Sequence, residues 1–479
     1  MTRLHVQPRR TTPGIYDVEE YGAIGDGVHV STEALQGAID ACGTSGGGTV
    51  RVPAGTFVTG ALWLRNYVTL ELMAGATLRA TEQIQDFPPY QSEWEGPNVT
   101  PMHAGLINGQ GLRDVAVIGR GTIDGSGGVW WALLEREALT AQRPRLIRLV
   151  ACNNVLIDGL TCVNSPMWTI NPLACDNVTV TRLTIRNPDN SPNTDGINPE
   201  CSSNVRISDC HIDVGDDCIS LKASTEDDRR QHHRACENVT VTNCTMLRGH
   251  GGVVIGSEIT GGVRNVVISD CIFNGTDRGI RIKARRGRGY AVEDVRVANV
   301  LMDGVLCPIV MNLFYGPGAT SADLVTDTGA RPVTDATPAF RRIGFFNIHA
   351  KRVRAAAAYI LGLPERAIED VKIEGMSVVM DCDNSLPEAP AMSPITQPMC
   401  RTGMHFQHVR GLRLNGIDVH GSVGPALTMH DVHRARITNM TTDDRCAESS
   451  VWRCSDVVSD GSANLPAGSK QLCRGSLPS

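Results

Sequence analysis

One short apolar motif recurs along most of this 479-residue chain and restricts the folds that it can adopt. A polar residue, usually Asn or Asp, precedes Val, any residue, and then Val or Ile. Clear copies are DVAVIG (114–119), NVLIDG (154–159), NVTVTR (177–182), NVRISD (204–209), NVTVTN (238–243), NVVISD (265–270), DVRVAN (294–299) and DVKIEG (370–375). Weaker copies are GLRLNG (411–416) and ARITNM (435–440). Because most copies follow one another within about 20–50 residues, the sequence predicts a solenoid.

The residues between the copies indicate which kind of solenoid to expect. They alternate apolar with polar residues, are interrupted by Gly, Asn and Asp, and leave no room for a regular helix between neighbouring copies. This excludes βαβ units and leucine-rich horseshoes, and it predicts an all-β, parallel β-helix in which each coil pairs with the next. Asn tolerates left-handed backbone angles, so we expect the motif Asn at a corner, where stacked Asn side chains would form a hydrogen-bonded ladder.

A solenoid needs covered ends, and the sequence predicts one short N-terminal capping helix. STEALQGAIDACG (31–43) has Ser31 or Thr32 at a helix start and an apolar stripe that includes Leu35 and Ile39. We therefore divide the chain into an N-terminal extension (1–13), a parallel β-helix domain (14–444) and a C-terminal tail (445–479) that is predicted to be poorly ordered. The Pro/Gly/Thr-rich stretch 315–338 predicts a long loop, which is either a functional wall or disordered.

Charge and hydropathy exclude two classes of partner. A net charge of −6 argues against a general nucleic-acid binder. The sequence contains no run of about 18 apolar residues, so a membrane-spanning helix is not expected. The first residues, MTRLHVQPRRTTPG, lack the apolar core of a secretory signal. We therefore expect a cytoplasmic protein, or a secreted or periplasmic one if a leader was removed.

The sixteen cysteines do not form C-x-x-C pairs, so a zinc ribbon is not expected. Most lie inside apolar, strand-like runs, where a free Cys behaves as a small hydrophobic residue: Cys152, Cys162, Cys210, Cys218, Cys244 and Cys271. Cys446, Cys454 and Cys473 fall in the polar tail and are the candidates for disulfides or loose thiols.

Four short stretches that suit chemistry fall on consecutive coils: NTDG (193–196), GDD (215–217), GHG (249–251) and RIK (281–283). Each one alone is typical of a solvated turn or an exposed strand. Equivalent positions on stacked coils lie about 4.8 Å apart, so the four together predict one cluster on one face. Its members are Asp195, Asp216, Asp217, His250, Arg281 and Lys283.

This cluster has the groups that glycoside hydrolysis needs. Three carboxylates held close together cannot all ionise easily, so we expect at least one raised pKa. One acid that donates a proton, beside carboxylates that activate water, is the arrangement of a glycosidase, and a neighbouring His can share the proton. R-x-K places two cations on the same side of a strand, which suits a sugar carboxylate.

The ordered set NTDG, GDD, GHG and RIK resembles the polygalacturonase family, glycoside hydrolase family 28, whose members hydrolyse pectin on a right-handed parallel β-helix. The resemblance extends from about Tyr16 to about Met380. It implies that Asp216 is the general acid and that Asp195 and Asp217 hold and deprotonate the attacking water. His250 then tunes the acid.

The resemblance also implies the groups that bind substrate. Arg281 and Lys283 match binders of the galacturonate carboxylate, Asn193 matches a substrate or support contact, and Tyr315 matches a tyrosine of the substrate site. The family inverts configuration, which leads us to expect acid and base carboxyl groups about 6.5–9.5 Å apart. It implies no metal ion and no cofactor, and the partner is an acidic pectic oligo- or polysaccharide.

Two segments bear on the mode of cleavage. GHGGVVIGSE (249–258) and the region 14–80 resemble the exo-acting bacterial branch more than the fungal endo enzymes. Exo action needs a closed cleft, and the loop 315–338 is a candidate wall. TDRGIRIKARRGRG (276–289) is either a solvated strand face or a basic patch for a polyanion.

We therefore expect a polygalacturonase that cleaves α-1,4-galacturonide linkages and is exo-acting. The alternatives are a rhamnogalacturonan or other galacturonide hydrolase on the same fold, a pectate lyase with acidic Ca²⁺ ligands, and a non-catalytic carbohydrate-binding β-helix.

Overall fold

A computed structural model of the chain describes residues 14–91, 94, 101–225, 234–443 and 449–462. They form a right-handed parallel β-helix, so the predicted fold class is confirmed. The predicted extension 1–13 lies outside the described residues. Within the described part, no helix is long and apolar enough to cross a membrane.

Three parallel sheets run along the β-helix. Sheet 1 contains the strands Leu62–Trp63, Ile107–Gln110, Ile147–Val150, Ile170–Leu173, Asp217–Leu221, Gly251–Ile255, Arg278–Lys283, Cys307–Asn312, Ala356–Leu361 and Ser450–Trp452. Sheet 2 contains Gly14–Asp17, Gly48–Val52, Val68–Leu72, Arg113–Gly119, Asn153–Asp158, Asp176–Thr181, Ser203–Ser208, Cys236–Thr242 and Ser455–Ser459. Sheet 3 contains Asp26–Val30, Gly55–Thr59, Ala76–Ala80, Thr122–Asp124, Thr161–Val163, Thr184–Arg186, His211–Asp213 and Thr245–Leu247.

Later coils have long strands that bend from one sheet into the next. Four of them link sheets 2 and 3: Val263–Asn274, Ala291–Asp303, Ala339–Val353 and Ile368–Met380. Two others, Thr402–His420 and Leu427–Thr442, also pair in sheet 1. The remaining elements are the antiparallel pair Pro89–Tyr90 and Met102–His103, the α-helices Thr32–Thr44, Gly128–Glu135 and Asp323–Thr326, and the 3₁₀-helices Val18–Tyr21 and Ile84–Asp86.

The recurring motif forms sheet 2, and its valines stack in direct register. Val178, Val205 and Val239 pair in sequence, and the register continues on both sides. The long gap before Val371 contains a whole coil, in which Ile343 takes the motif position. The sequence missed this coil because its corner residue is Arg342, with a φ of 58°, instead of Asn or Asp.

The corner asparagines hydrogen-bond to one another as expected. Asn177, Asn204, Asn238 and Asn265 all have φ near 55°. The side-chain amide of Asn265 donates to Asn238 at 3.1 Å, and that of Asn238 donates to Asn204 at 3.1 Å. Asn204 donates to the carboxylate of Asp176 instead of to Asn177, so the ladder shifts by one residue at that coil.

The predicted capping helix is Thr32–Thr44, and it buries Leu35, Ala38, Ile39 and Cys42. Ser31 stands at its start but does not cap it with its side chain. Its hydroxyl accepts from the Ile24 backbone N–H instead. The helix is therefore placed by its apolar stripe, which covers the first coils.

The β-helix extends into the segment that the sequence assigned to a poorly ordered tail. Ser450–Trp452 and Ser455–Ser459 pair in parallel with Leu427–Thr442. Cys454 and Val457 are buried, because this stretch keeps the alternation of the earlier coils in a weaker form. Residues 444–448 and 463–479 lie outside the described residues.

The strand cysteines are buried free thiols, as predicted: Cys152, Cys162, Cys210, Cys218, Cys244 and Cys271. Cys454, which the sequence left as a disulfide candidate, is also a buried free thiol. Cys446 and Cys473 are outside the described residues.

Candidate active site

Asp195 lies where the chain passes from sheet 3 into sheet 1. Its side chain is buried, and one carboxylate oxygen accepts from the Asn198 amide at 2.7 Å. The turn before it is fixed by Arg143, whose guanidinium donates to the Pro192 carbonyl at 2.6 Å and to the Asn193 side chain at 2.6 Å. The loop that carries the first acid is thus held by a buried cation.

Asp216 and Asp217 stand at the entry to a sheet 1 strand. Asp216 is partly exposed, and its carboxylate accepts from the Asp217 backbone N–H at 2.8 Å. Gly249 crosses directly beside this turn with a φ of 78°, and a Cβ there would lie 2.3 Å from the Asp216 carbonyl oxygen. The first Gly of GHG is therefore required by the close approach, and His250 is brought next to Asp216.

The three acids converge as the coil spacing predicts. One carboxylate oxygen from each of Asp195, Asp216 and Asp217 lies within 4.8 Å of the others. This is shorter than the expected separation of about 6.5–9.5 Å between acid and base carboxyl groups. The spacing itself therefore does not indicate inversion.

Two cationic side chains bind Asp217, the more buried of the two adjacent acids. Asp217 accepts from Lys283 Nζ at 2.8 Å and from Arg281 Nη1 at 3.4 Å. All three side chains are almost fully buried. Tyr315 lies beside them, with its ring centroid 5.0 Å from Lys283 Nζ and 5.4 Å from Arg281 Cζ.

The surroundings shift the pKa values of Asp195 and Asp216 in opposite directions. Burial and the charge of Asp216 raise the pKa of Asp195 well above its ordinary value. Burial would also raise the pKa of Asp216, but the hydrogen bond and charge of His250 outweigh it and lower that pKa to about 2. The hydrogen bond from Asp216 raises the pKa of His250. The expectation of one raised carboxyl pKa is met at Asp195.

Of the predicted site residues, Asn193 is the one whose side chain does not contact the acids or their cations. Its side chain is exposed, and its amide oxygen accepts from Arg143. Burial lowers the pKa of Arg143 to about 10, against the opposing charges of Asp195 and Asp216. Arg143 is a site residue that the motif analysis did not single out.

The sequence also missed a buried ion pair beside the acids. Lys222 Nζ lies 2.9 Å from Glu258 Oε2, and Glu258 Oε1 lies 3.2 Å from Arg288 Nη1. The charges of Glu258, Asp195 and Asp217 raise the pKa of Lys222 despite its burial. The sequence did carry a signal for Lys222. It ends the apolar strand stretch ISLK (219–222), and a charge buried in such a strand is costly unless it has a partner.

The basic segment 276–289 is neither a solvated face nor an open patch. Its six basic side chains are buried: Arg278, Arg281, Lys283, Arg285, Arg286 and Arg288. Arg285 donates to the carbonyls of Pro317 and Gly318, and Arg286 donates to those of Asp327 and Gly329. Only Arg281 and Lys283 reach the acids. Arg285 and Arg286 thus anchor the loop 315–338, which the sequence could not reveal.

Arg286 is therefore expected to serve stability and not substrate binding. It makes a bidentate ion pair with Glu365, at 2.6 and 2.8 Å, and both side chains are nearly buried. Arg286→Met should lower the free energy of unfolding by about 3–5 kcal/mol, because it leaves a buried carboxylate unpaired. Chemical denaturation beside the exposed control Arg410→Met would measure this. A variant as stable as the control would contradict the structural role.

A Ca²⁺ ion does not suit the three acids. Ca²⁺ takes six to eight oxygen ligands, and the cluster offers three carboxylates, one of which already bonds to Lys283 and Arg281. The three acids are therefore better suited to proton transfer than to binding the Ca²⁺ ion that a lyase would need.

The segment 381–401 crosses sheet 1 on the C-terminal side of the acids. Arg278 donates to the carbonyls of Ala389 and Pro390, and Arg281 Nη2 lies 2.8 Å from Met392 Sδ. The Met392 carbonyl accepts from the Gly316 N–H at 3.1 Å. This segment, together with the start of the predicted loop at 315, covers one end of the site.

Comparisons with known proteins point to one family. The family model described as "Glycosyl hydrolases family 28" matches residues 42–390. The chain is 33% identical to a protein named "Probable polygalacturonase" from Vitis vinifera over 75% of this chain and 73% of the relative. It is 32% identical to an "Endo-polygalacturonase" of Pectobacterium carotovorum subsp. carotovorum, over 60% and 72%. A crystal structure of an exopolygalacturonase from Thermotoga maritima superposes with a TM-score of 0.68 at 26% identity, covering 79% of this chain and 90% of that one.

Proposed function

Because the chain belongs to glycosyl hydrolases family 28, we propose that it hydrolyses the α-1,4 linkages of polygalacturonate and oligogalacturonides from one chain end, with inversion. The observation that carries this proposal is the cluster of Asp195, Asp216 and Asp217 beside two buried cations. A cation pair next to the acids suits a substrate with a carboxylate on the ring at the cleaved bond.

Asp216 serves as the general acid. It is the most exposed of the three acids and carries the hydrogen-bonded His250 at 3.2 Å. Against the effect of burial, the hydrogen bond between the two side chains lowers the pKa of Asp216 to about 2, and it also raises the pKa of His250, so the free site favours the ion pair. Bound substrate excludes water, which favours the neutral pair, so the proton moves to the Asp216 carboxyl and from there to the leaving oxygen.

Asp195 and Asp217 hold the attacking water. Asp217 accepts hydrogen bonds from Lys283 and Arg281, and it positions the water by accepting a further one. Asp195 must lose its own proton before it can accept one from the water. Activity is therefore expected to rise with pH as Asp195 ionises. Because the pKa of Asp195 is raised, this rise should occur at a higher pH than the ordinary titration range of an aspartate.

The closed C-terminal side of the site supports exo action. The segment 381–401 and the start of 315–338 lie next to Arg281 and cover this end of the site. A long chain that must pass through the site would meet this wall. The substrate therefore ends here.

Product analysis tests the proposal. Polygalacturonate, oligogalacturonides and rhamnogalacturonan should be incubated with the enzyme, and released reducing ends and product lengths followed with time. We expect mono- or digalacturonate from the first minutes, with the new anomer inverted in an NMR time course. Early mixed oligomers would refute exo action, a retained anomer would refute inversion, and no hydrolysis of any galacturonan would refute the function.

Removal of divalent cations gives a separate check. We expect EDTA to leave the rate unchanged, and no unsaturated product to absorb in the ultraviolet, because protons and not a metal ion drive the reaction here. Loss of activity that Ca²⁺ restores would favour the lyase alternative.

A further inference from the structure

Cationic side chains form a row on the outer face of sheet 2, in its later coils. The variable residue between the two apolar positions of the recurring motif points outward, and it pairs in direct register from coil to coil. We call the following five positions the cation row: Arg296, Gly344, Lys372, Arg413 and Arg436. The arginines are exposed, and Lys372 is partly exposed. Because equivalent positions on successive coils lie about 4.8 Å apart, Lys372, Arg413 and Arg436 place three like charges side by side.

A neighbouring row of sheet 2, three residues earlier in each strand, has the opposite arrangement. Acids and bases alternate on its consecutive coils: Glu237, Arg264, Glu293, Arg341, Glu369 and Arg410. Arg264 pairs with Glu237 and Arg341 pairs with Glu293, each at 2.6 Å. Like charges that face each other across strands are destabilising, so the alternating row avoids a cost that the cation row carries.

The protein itself offsets little of this repulsion. Lys372 Nζ lies 2.9 Å from Glu374 Oε1, and both side chains are partly exposed. Arg296 donates to two backbone carbonyls, at 2.9 and 2.7 Å. Arg413 and Arg436 make no ion pair within the part of the chain that the structure describes. Their charges are therefore available to an anion from outside.

Gly344 leaves a depression in the cation row. A Cβ there would lie 2.7 Å from the Phe346 ring. A cavity of about 380 Å³ opens at this position, and both Arg296 and Arg413 line it. A second cavity, of about 530 Å³, adjoins it and is lined by Arg413 and Arg436. The two cavities thus follow the cation row across its five coils.

The walls of these two cavities are mainly basic. Arg342 adds to the four cations of the row, whereas Asp370 and Glu374 are the acids that line the cavities. Glu374 is paired with Lys372, and Asp370 Oδ1 lies 4.0 Å from Arg434 Nη2. The whole chain has a net charge of −6, so this excess of positive charge is local. Such a surface attracts an anionic ligand.

We propose that the cation row binds a linear acidic polysaccharide away from the active site and holds the polymer on the enzyme without cleaving it. Charges that recur along the β-helix axis suit a chain with one carboxylate on every sugar, whereas a compact anion would reach only part of the row. The inference rests on the proposed function for the identity of the polymer, polygalacturonate. Sheet 2 is a different side of the β-helix from sheet 1, so a disaccharide in the active site does not reach the row.

Kinetics on substrates of two lengths test the cation row. Arg413→Gln/Arg436→Gln should raise KM for polygalacturonate about 3- to 10-fold, because two exposed charge pairs with the polymer are lost. We expect kcat, and KM for digalacturonate, to stay at the wild-type values. An equal rise of KM on digalacturonate would overturn the proposal, since it would place the effect in the active site.

The matched control is Arg206→Gln/Arg410→Gln, which removes the same charge from exposed positions of sheet 2. Arg206 lies between Thr179 and Thr240 on the neighbouring coils, and Arg410 belongs to the alternating row. Neither residue is part of the cation row. A polygalacturonate KM for Arg413→Gln/Arg436→Gln that lies within about twofold of this control would overturn the proposal.

A binding measurement separates the cation row from the proposed function. The Asp216→Asn protein, with excess digalacturonate to fill the active site, is titrated with polygalacturonate. Adding Arg413→Gln/Arg436→Gln should weaken binding about 3- to 10-fold relative to the control pair, and about 1 M salt should remove the difference. Equal affinities would overturn the row, and duplex DNA bound as tightly through the same arginines would overturn its assignment to a polysaccharide.

The two proposals fail in different ways. A wild-type enzyme that cleaves polygalacturonate while the two arginine pairs bind the polymer equally well loses only the cation row. A wild-type enzyme inactive on all galacturonans loses the proposed function, and the titration then decides the cation row alone.

Discussion

Replacing Asp216 by Asn should lower kcat on polygalacturonate by about 10²- to 10⁴-fold and leave the protein folded. Asn has the same shape and can still accept from the Asp217 N–H, but it cannot donate a proton to the leaving oxygen. Reducing-end assays with a parallel thermal melt by circular dichroism would measure both effects.

Asp209→Asn is the control for this change. Asp209 is exposed at a corner of the β-helix, with a φ of 58°, and its carboxylate accepts from the Asn243 amide. Asn tolerates that backbone and can accept the same bond, so kcat should not change. If Asp216→Asn kept more than one tenth of the wild-type kcat, another group would have to be the acid.

Asp195→Asn should abolish activity to a similar degree and yet stabilise the fold. The variant loses the base that accepts a proton from water, so kcat falls by about 10²- to 10⁴-fold. It also removes a buried carboxylate that repels Asp216, while the Asn198 amide keeps an oxygen to bond. We expect the free energy of unfolding to increase by about 1 kcal/mol at neutral pH, which is a common size for a stabilising substitution at an active site.

The pH dependence of this gain has a definite sign. The folded pKa of Asp195 lies above its unfolded value of about 3.9, so the folded wild-type protein binds the proton more tightly. Wild-type stability is therefore lost as pH rises from about 4 through the raised pKa. Melting temperatures of the two proteins should agree near pH 3 and separate above pH 4, with the variant higher. A variant that melts lower at pH 7 would contradict the repulsion between the two acids.

Local patterns in the sequence were sufficient for the repeated architecture. Alternation of two residues and a corner residue that tolerates positive φ are short-range properties, so the stacked valines and the Asn ladder followed from them. The coil around Ile343 was missed because Arg342 takes the corner there. The strand at 455–459 was missed because its alternation is weak.

The same limit applies to the site. The four motifs predicted that Asp195, Asp216 and Asp217 would converge, because coil stacking turns a sequence separation into a fixed short distance. Lys222, Arg143 and the role of Arg286 depend on contacts between distant loops, which no local pattern encodes.

By itself the sequence determined the β-helix, the order of its coils and the convergence of the three acids, since each depends on residues within one coil and on a constant stacking distance. Only the tertiary structure decided which acid has a raised pKa, which basic residues are anchors and which segments cover one end of the site. Those properties depend on burial and on charges brought together from separate coils, and the free energy of a buried charge is set by its neighbours in space.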